Sequence, residues 1–226
     1  MKKPFYTELA YFAGLVLLAI GTALMTRADF GLSMVVAPAY LIHLKVSEVL
    51  PFFSFGMAEY ALQTVLILTL ILIRRKVRLF YLCSFITAVL YGFALDGALA
   101  LIGWVTMTMP VRIGFYMIGM VLCSAGVSLY FHTYFSPAAY ELFVKDLAGK
   151  FNVPINRFKT IYDCTSCAVG ILLSFVFFGF GHFEGIGWGT VVCALLNGWI
   201  IGRMTVLFER RFEFVDRLSW RTFFER

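Results

Sequence analysis

The chain has 226 residues, of which 61% are hydrophobic, 18% aromatic and only 14% charged, and its mean hydropathy is +0.87. A soluble fold of this size needs more polar residues to cover its surface, so the composition excludes a soluble globular protein and a disordered one. The formal charge of +6 does not indicate nucleic-acid binding, because the basic residues form short clusters between apolar segments, as is typical of a membrane protein.

Six apolar stretches are long enough to cross about 30 Å of hydrocarbon at about 1.5 Å per residue. They predict membrane-spanning helices at 8–26, 53–73, 79–102, 111–132, 158–179 and 186–207. Two shorter apolar segments, 31–46 and 137–149, each follow a span and contain Pro38 or begin with Pro137. Such short, interrupted segments predict re-entrant half-helices that enter the membrane without crossing it.

The distribution of lysine and arginine tests whether the half-helices cross, because each crossing reverses the side of everything downstream. If neither crosses, the side that carries the N-terminus receives nearly all basic residues, including the cluster 74–78, Lys159 and the arginines of the tail. Only Arg27, Lys45 and Arg112 remain outside that side. We therefore expect six spans with both termini in the cytoplasm.

The opening segment of the chain has a second copy 105 residues further along. Residues 14–30 laid on residues 119–135 without a gap give six identities in seventeen positions. The identical pairs are Gly14/Gly119, Val16/Val121, Leu17/Leu122, Gly21/Gly126, Leu24/Leu129 and Phe30/Phe135. Each copy contains a span, a half-helix and two spans. Because three spans is an odd number, the second copy must be inserted upside down, which predicts an inverted-topology repeat.

The repeat divides the chain into a first unit, 1–104, an inverted second unit, 110–207, and a tail, 208–226. Apolar side chains in the tail recur at helical spacing with arginines around them. They are Phe208, Phe212, Val215 and Leu218. This pattern predicts an amphipathic helix lying in the cytoplasmic membrane interface.

The two turns that join a span to a half-helix are the candidate walls of a binding site, because irregular backbone at membrane depth must be enclosed by protein or a water-filled cavity. In the second turn, Ser136 and Pro137 match an N-cap and a proline in the first helical position, and Gly31 or Ser33 is the equivalent cap in the first. The helix N-termini would then face one central cavity and favour an anion or a polar group. A purely structural role of these turns is the alternative. The candidate binding residues of the turns are Arg27, Asp29, Phe30, Gly31, Ser33, His132, Tyr134 and Ser136.

Acidic residues inside predicted spans are the second group of candidates, since a charge near the bilayer centre is costly and usually functional or paired. Glu59 and Asp163 occupy near-equivalent positions in the two repeats and are candidates for lining the cavity. Asp96, late in the third span, is either a protonatable coupling group or a helix cap. Arg27 and Asp29 are close enough in sequence to form an ion pair with each other.

The chain contains no P-loop, no H-E-x-x-H and no G-x-S-x-G motif, and Cys164 and Cys167 have no second pair to complete a metal site. We therefore expect no enzymatic activity, no cofactor and no bound metal. The expected partners are a small solute and the lipid bilayer, with a second copy of the chain in a homodimer as a further option.

Several short motifs resemble those of the YitT/YczE-like multispan proteins of bacteria, an uncharacterised family. They are Gly21-Thr22-Ala23-Leu24, Phe30-Gly31-Leu32-Ser33, Phe135-Ser136-Pro137, Asp96 after Gly92, and Gly187-x-Gly189-Thr190 leading to Gly198. Ser33, Met34 and Val35 stand where that family would have a proline, an aromatic residue and an acid. The resemblance implies a multi-pass protein of the bacterial inner membrane with a function in transport.

The pattern as a whole indicates an all-α membrane transporter or channel for a small polar or anionic solute, bound between two half-helix N-termini. In a coupled transporter, Asp96, Glu59 or Asp163 would carry the coupling proton or cation. Two alternatives remain at this point: the membrane-embedded substrate-binding subunit of a vitamin importer, and a membrane scaffold that transports nothing. A water-filled centre favours transport, whereas a dry, side-chain-filled centre favours the scaffold.

Overall fold

The computed structural model describes residues 2–53, 55–76, 79–179 and 185–218. Within these ranges the chain forms eight α-helices and one two-stranded sheet. The helices are α1 (Thr7–Ala28), α2 (Ala37–Ser47), α3 (Phe55–Arg74), α4 (Leu79–Ile102), α5 (Met109–Phe131), α6 (Ala139–Phe151), α7 (Ile155–Phe178) and α8 (Trp188–Arg211). The strands are β1 (Lys3–Tyr6) and β2 (Phe212–Val215).

Six of the helices, α1, α3, α4, α5, α7 and α8, are long and apolar enough to cross a membrane. This finding confirms the six predicted spans and makes the chain a multi-pass membrane protein by the length and composition of its helices. Helices α2 and α6 have 11 and 13 residues. At about 1.5 Å per residue they reach about 17 Å and about 20 Å, which is short of the hydrocarbon thickness of about 30 Å.

Helices α1 and α5 form the tightest helix pair of the bundle, and glycines make their close approach possible. A Cβ added to Gly14 would lie 3.0 Å from Gly126 O, and one added to Gly21 would lie 2.7 Å from Gly119 O. Small residues at a helix interface allow such backbone contact in lipid. Since Gly14 meets Gly126 while Gly21 meets Gly119, the two helices run antiparallel.

The first four helices and the last four make corresponding contacts. Helix α1 packs on α4 as α5 packs on α8, and α2 packs on α3 as α6 packs on α7. The two halves also contact each other through the short helices. Helix α2 packs on α7 of the second half, and α6 packs on α3 of the first half. Each short helix therefore packs against long helices of both halves.

The two short helices start later than the sequence predicts, and neither has the predicted cap. Helix α2 begins at Ala37 with Val36 as its N-cap, and α6 begins at Ala139 with Ala138 as its N-cap. Neither cap makes a side-chain hydrogen bond, so the prediction that Gly31, Ser33 or Ser136 caps these helices is wrong. The residues before each helix instead remain irregular because their carbonyl groups bond to distant helices.

The first part of the tail is not the predicted amphipathic helix, because residues 212–215 form a β-strand. Helix α8 continues to Arg211, and the chain then becomes extended in β2, which pairs in parallel with β1. Phe5 packs against Phe212 and Phe214 at ring-centroid distances of 5.0 and 5.9 Å. Backbone pairing with the N-terminal segment and these ring contacts stabilise the strand over a helix. Residues 219–226 of the predicted helix lie outside the described ranges.

Candidate functional site

The first turn, residues 29–36, is attached to the start of α8. Gly189 N donates to Phe30 O at 3.0 Å, and the Thr190 hydroxyl donates to Leu32 O at 2.6 Å. Gly31 has φ +115°, a backbone conformation that glycine adopts readily and residues with a Cβ rarely do. Its backbone contacts that of Gly187. The Phe30 ring is buried against Tyr116 and Trp188. This turn is therefore held by the other half of the chain, and Ser33 within it is half-buried.

Arg27 and Asp29 do not pair with each other. Arg27 Nη2 donates to Gly103 O and Val105 O at 3.1 and 3.0 Å, so it holds the loop between α4 and α5. Asp29 ends α1 in the left-handed conformation and its carboxylate accepts from Arg112 at 2.7 Å. The Asp29 side chain is 77% exposed. The turn at Asp29 directs its carboxylate toward the start of α5, so the predicted ion pair is wrong. Arg27 and Asp29 instead bind the loop before α5 and the first turn of α5.

The second turn, residues 132–138, lies at the opposite end, next to the paired termini. The Tyr134 hydroxyl donates to Glu8 Oε1 at 2.9 Å, and the His132 ring stacks on Phe214 with centroids 4.3 Å apart. His132 Nε2 lies 3.2 Å from Glu209 Oε1. Ser136 is 2% exposed, and its carbonyl accepts from the Thr87 hydroxyl at 2.7 Å. These contacts make the second turn a buried connector fixed by α1, α4, α8 and β2.

The two turns thus lie apart, but residues at the start of each short helix belong to one buried cluster. Met34 and Val35, just before α2, share one buried cluster with Tyr140 in the first turn of α6. Met120 of α5 and Cys167 of α7 belong to the same cluster, as do Cys193 and Ala194 of α8. The N-terminal ends of α2 and α6 therefore border one buried cluster, whereas Arg27, Asp29, His132 and Tyr134 lie outside it.

A buried ionic cluster lies in the bundle interior beside these helix ends. Lys159 Nζ and Asp163 Oδ1 are 2.8 Å apart, and both side chains are at most 1% exposed. Asn197 donates to Asp163 Oδ2 at 3.2 Å, and the Ser124 hydroxyl donates to Asn197 Oδ1 at 2.8 Å. Charges taken out of water require such paired and hydrogen-bonded surroundings. Residues of α5, α7 and α8 together satisfy this pair.

Two further acids lie nearby, on the short helix α6 and on α3. The Tyr140 hydroxyl donates to Glu59 Oε1 at 2.9 Å, and Gln63 Nε2 donates to the same oxygen at 3.2 Å. Glu141 is 8% exposed and interacts electrostatically with Lys159 and with Glu59. The interior next to the helix ends therefore holds Glu141 and Asp163 beside Lys159, with Glu59 nearby on α3.

Asp96 is not part of this interior. It lies on the exposed side of α4, and a Cβ added at the neighbouring Gly92 or Gly97 would meet nothing within 4 Å among the described residues. The structure separates Asp96 from Glu59 and Asp163, which the sequence grouped with it as candidate coupling acids. In the described ranges no group of three histidine, cysteine or acidic side chains is arranged to hold a metal ion.

Several residues of the interior were missed in the sequence. Lys159 was only counted among the basic residues of the cytoplasmic side, whereas in the structure it lies on α7, five residues into the helix, and is fully buried. Gln63 and Tyr140 were not singled out at all. A usable signal was present in two cases: Gln63 follows Glu59 by four residues and Asp163 follows Lys159 by four, the spacing at which helical side chains meet.

Comparison with known proteins places the chain in a family without an assigned activity. A family model described as a family of unknown function, DUF6198, matches residues 5–206, and the chain belongs to this family. No curated protein and no solved structure matches the chain. The match carries no link to the YitT/YczE-like proteins, so that resemblance stays a prediction.

Proposed function

We propose that the chain is a membrane transporter that binds a small polar or cationic solute between the N-terminal ends of α2 and α6. The observation that carries this proposal is the buried set of Glu141, Asp163 and Lys159 next to those ends, with the half-buried Glu59 bonded to Tyr140 of α6. Ionisable groups inside a membrane bundle are costly to bury and mark solute or proton pathways. A bundle that needed only to pack would be more stable with apolar side chains at these positions.

The charge balance decides which solute class fits best. Glu141 and Asp163 face one lysine, so the interior holds more acidic than basic groups even without Glu59. The helix N-termini alone favour an anion, but a nearby carboxylate repels one more strongly than the partial charge of a helix end attracts it. We therefore favour a cationic or zwitterionic solute, with an ammonium group near Glu141, over the anion expected from the turns.

We further infer that the fold is an inverted-topology repeat with re-entrant α2 and α6. Corresponding residues support this: Tyr11 and Tyr116 are 105 positions apart, and each packs on the phenylalanine of the other half's turn, Phe135 and Phe30. Thr87 and Thr190 likewise each donate to a turn carbonyl of the other half. The antiparallel contact of α1 with α5 is what a twofold axis in the membrane plane produces.

Uptake into proteoliposomes tests the transport proposal. With an imposed pH gradient, we expect accumulation of at least one solute from a panel of small amines, amino acids and carboxylates, with the amines or amino acids preferred. Glu141→Gln should lower uptake about tenfold or more, because losing a charged hydrogen-bonding group costs about 1.5–3 kcal/mol. The matched control is Glu48→Gln, since Glu48 is exposed and pairs only with Lys45 among the described contacts.

The outcome separates the alternatives. Uptake no greater than in protein-free liposomes for every solute, from protein that is folded, would contradict transport and favour a scaffold. Copurification with an ATPase pair, combined with tight binding of one vitamin, would favour the subunit of a vitamin importer. Uptake that Glu141→Gln leaves unchanged would remove the interior acids from the solute path.

A further inference from the structure

Two buried acceptor atoms of the interior receive no hydrogen bond from any residue that the structure describes. They are Glu59 Oε2 and Gln63 Oε1. They belong to neighbouring side chains, because Gln63 Nε2 donates to the other oxygen of Glu59 at 3.2 Å. Gln63 is 5% exposed. Burying two acceptors without hydrogen bonds lowers the stability of the fold, unless a bound proton, ion or other donor lies between them.

The groups around this pair come from the helices that pack on α3 and from those whose side chains interact with Glu59. Helix α6 contributes the Tyr140 hydroxyl, which donates to Glu59 Oε1, and the acid Glu141. Helix α2 contributes Tyr40 and His43, whose rings lie 5.7 and 6.2 Å from the ring of Phe55 at the start of α3. From α7 and α4, Tyr162 and Tyr91 interact electrostatically with Glu59.

A proton satisfies this arrangement better than a metal ion does. Hard metal cations take about six oxygen ligands. Here only two neighbouring acceptor atoms of the described residues are left without a hydrogen bond. A carboxylic acid and an amide form a paired ring in which the O–H donates to the amide oxygen and the N–H donates to the acid oxygen. The observed N–H···O contact is half of that ring.

We propose that Glu59 holds an exchangeable proton on Oε2, donated to Gln63 Oε1, and that this proton is the coupling ion of the transporter. Release breaks the Oε2–H bond and passes the proton to water, with no change in oxidation state. The released carboxylate keeps its bonds from Tyr140 and Gln63, so the charge change acts directly on the first turn of α6. The coupling role depends on the proposed transport, whereas the proton itself can be measured without any solute.

Infrared difference spectroscopy of the chain in lipid, recorded between acid and alkaline pH without solute, tests the proton. We expect a protonated-carboxyl C=O band at neutral pH that Glu59→Gln abolishes. Gln63→Leu should move the band to higher frequency, because the acid loses its acceptor. Glu48→Gln should leave it unchanged, and the isosteric Glu59→Gln should stay folded.

Three results would overturn the inference: no carboxyl band at neutral pH, a band that Glu59→Gln leaves intact, or a band that Na⁺ removes at fixed pH. The last result would assign the site to a metal cation. Coupling is tested separately by uptake, where the ratio of accumulation with and without an imposed pH gradient should fall to about one in Glu59→Gln and keep its wild-type value in Glu48→Gln. Accumulation that persists in Glu59→Gln would overturn the coupling role and leave transport itself standing.

Discussion

Lys159→Met is expected to destabilise the folded chain by about 3–5 kcal/mol, the cost of leaving one partner of a buried ion pair unpaired. Asp163 is fully buried, and without Lys159 the contacts described for its carboxylate reduce to the weak bond from Asn197. The matched variant is Lys159→Met combined with Asp163→Asn, which removes both charges. We expect this double variant to recover most of the loss, because a neutral pair of similar volume avoids the desolvation cost.

The measurement is the thermal unfolding midpoint of each variant in detergent, with the yield of monodisperse protein as a second readout. A single variant as stable as the wild type would contradict the burial of the pair. A double variant as unstable as the single one would show that Lys159 contributes by packing and not by charge.

Gly31→Ala is expected to cost about 3 kcal/mol or more, the sum of backbone strain and overpacking, each about 1–3 kcal/mol. Gly31 has φ +115°, and an added Cβ would lie 2.7 Å from Gly187 Cα. Since the first turn is bonded to the start of α8 on both sides of Gly31, neither backbone can move away easily.

Gly179→Ala is the control that separates the two costs. Gly179 also has a positive φ, +84°, but among the described residues nothing lies within 4 Å of an added Cβ. It should lose only the strain contribution, about 1 kcal/mol. Equal midpoints for Gly31→Ala and Gly179→Ala in thermal unfolding would contradict the close contact of the first turn with α8.

The long helices could be predicted from the sequence because their signal is local. An apolar run long enough to cross a membrane has few alternatives, so α1, α3, α4, α5, α7 and α8 appear close to their predicted bounds. The glycines that let α1 contact α5 were also visible, since Gly14 and Gly21 recur as Gly119 and Gly126. Their contact partners were not, because they lie about a hundred residues away.

The turns and the interior were harder to predict for the same reason. The start of α2 depends on bonds from Thr190 and Gly189, and no local pattern near Ser33 reports them. The burial of Lys159 was missed because the positive-inside rule counts basic residues singly and ignores a carboxylate one helical turn away. Glu59 and Asp163 were found because a charge inside an apolar run stands out, whereas Gln63, being uncharged, did not.

Whether water reaches the centre of the bundle in lipid is the most direct test of transport between α2 and α6. Cys167 is 5% exposed and lies in the cluster with Met34 and Tyr140, so a variant that keeps Cys167 as its sole cysteine reports on this place. In sealed vesicles we expect a small water-soluble thiol reagent to modify Cys167, and a transported solute to slow the reaction. A Cys167 that stays unmodified at every pH, while a surface cysteine introduced by Glu48→Cys reacts fully, would contradict the proposal and indicate a permanently dry core.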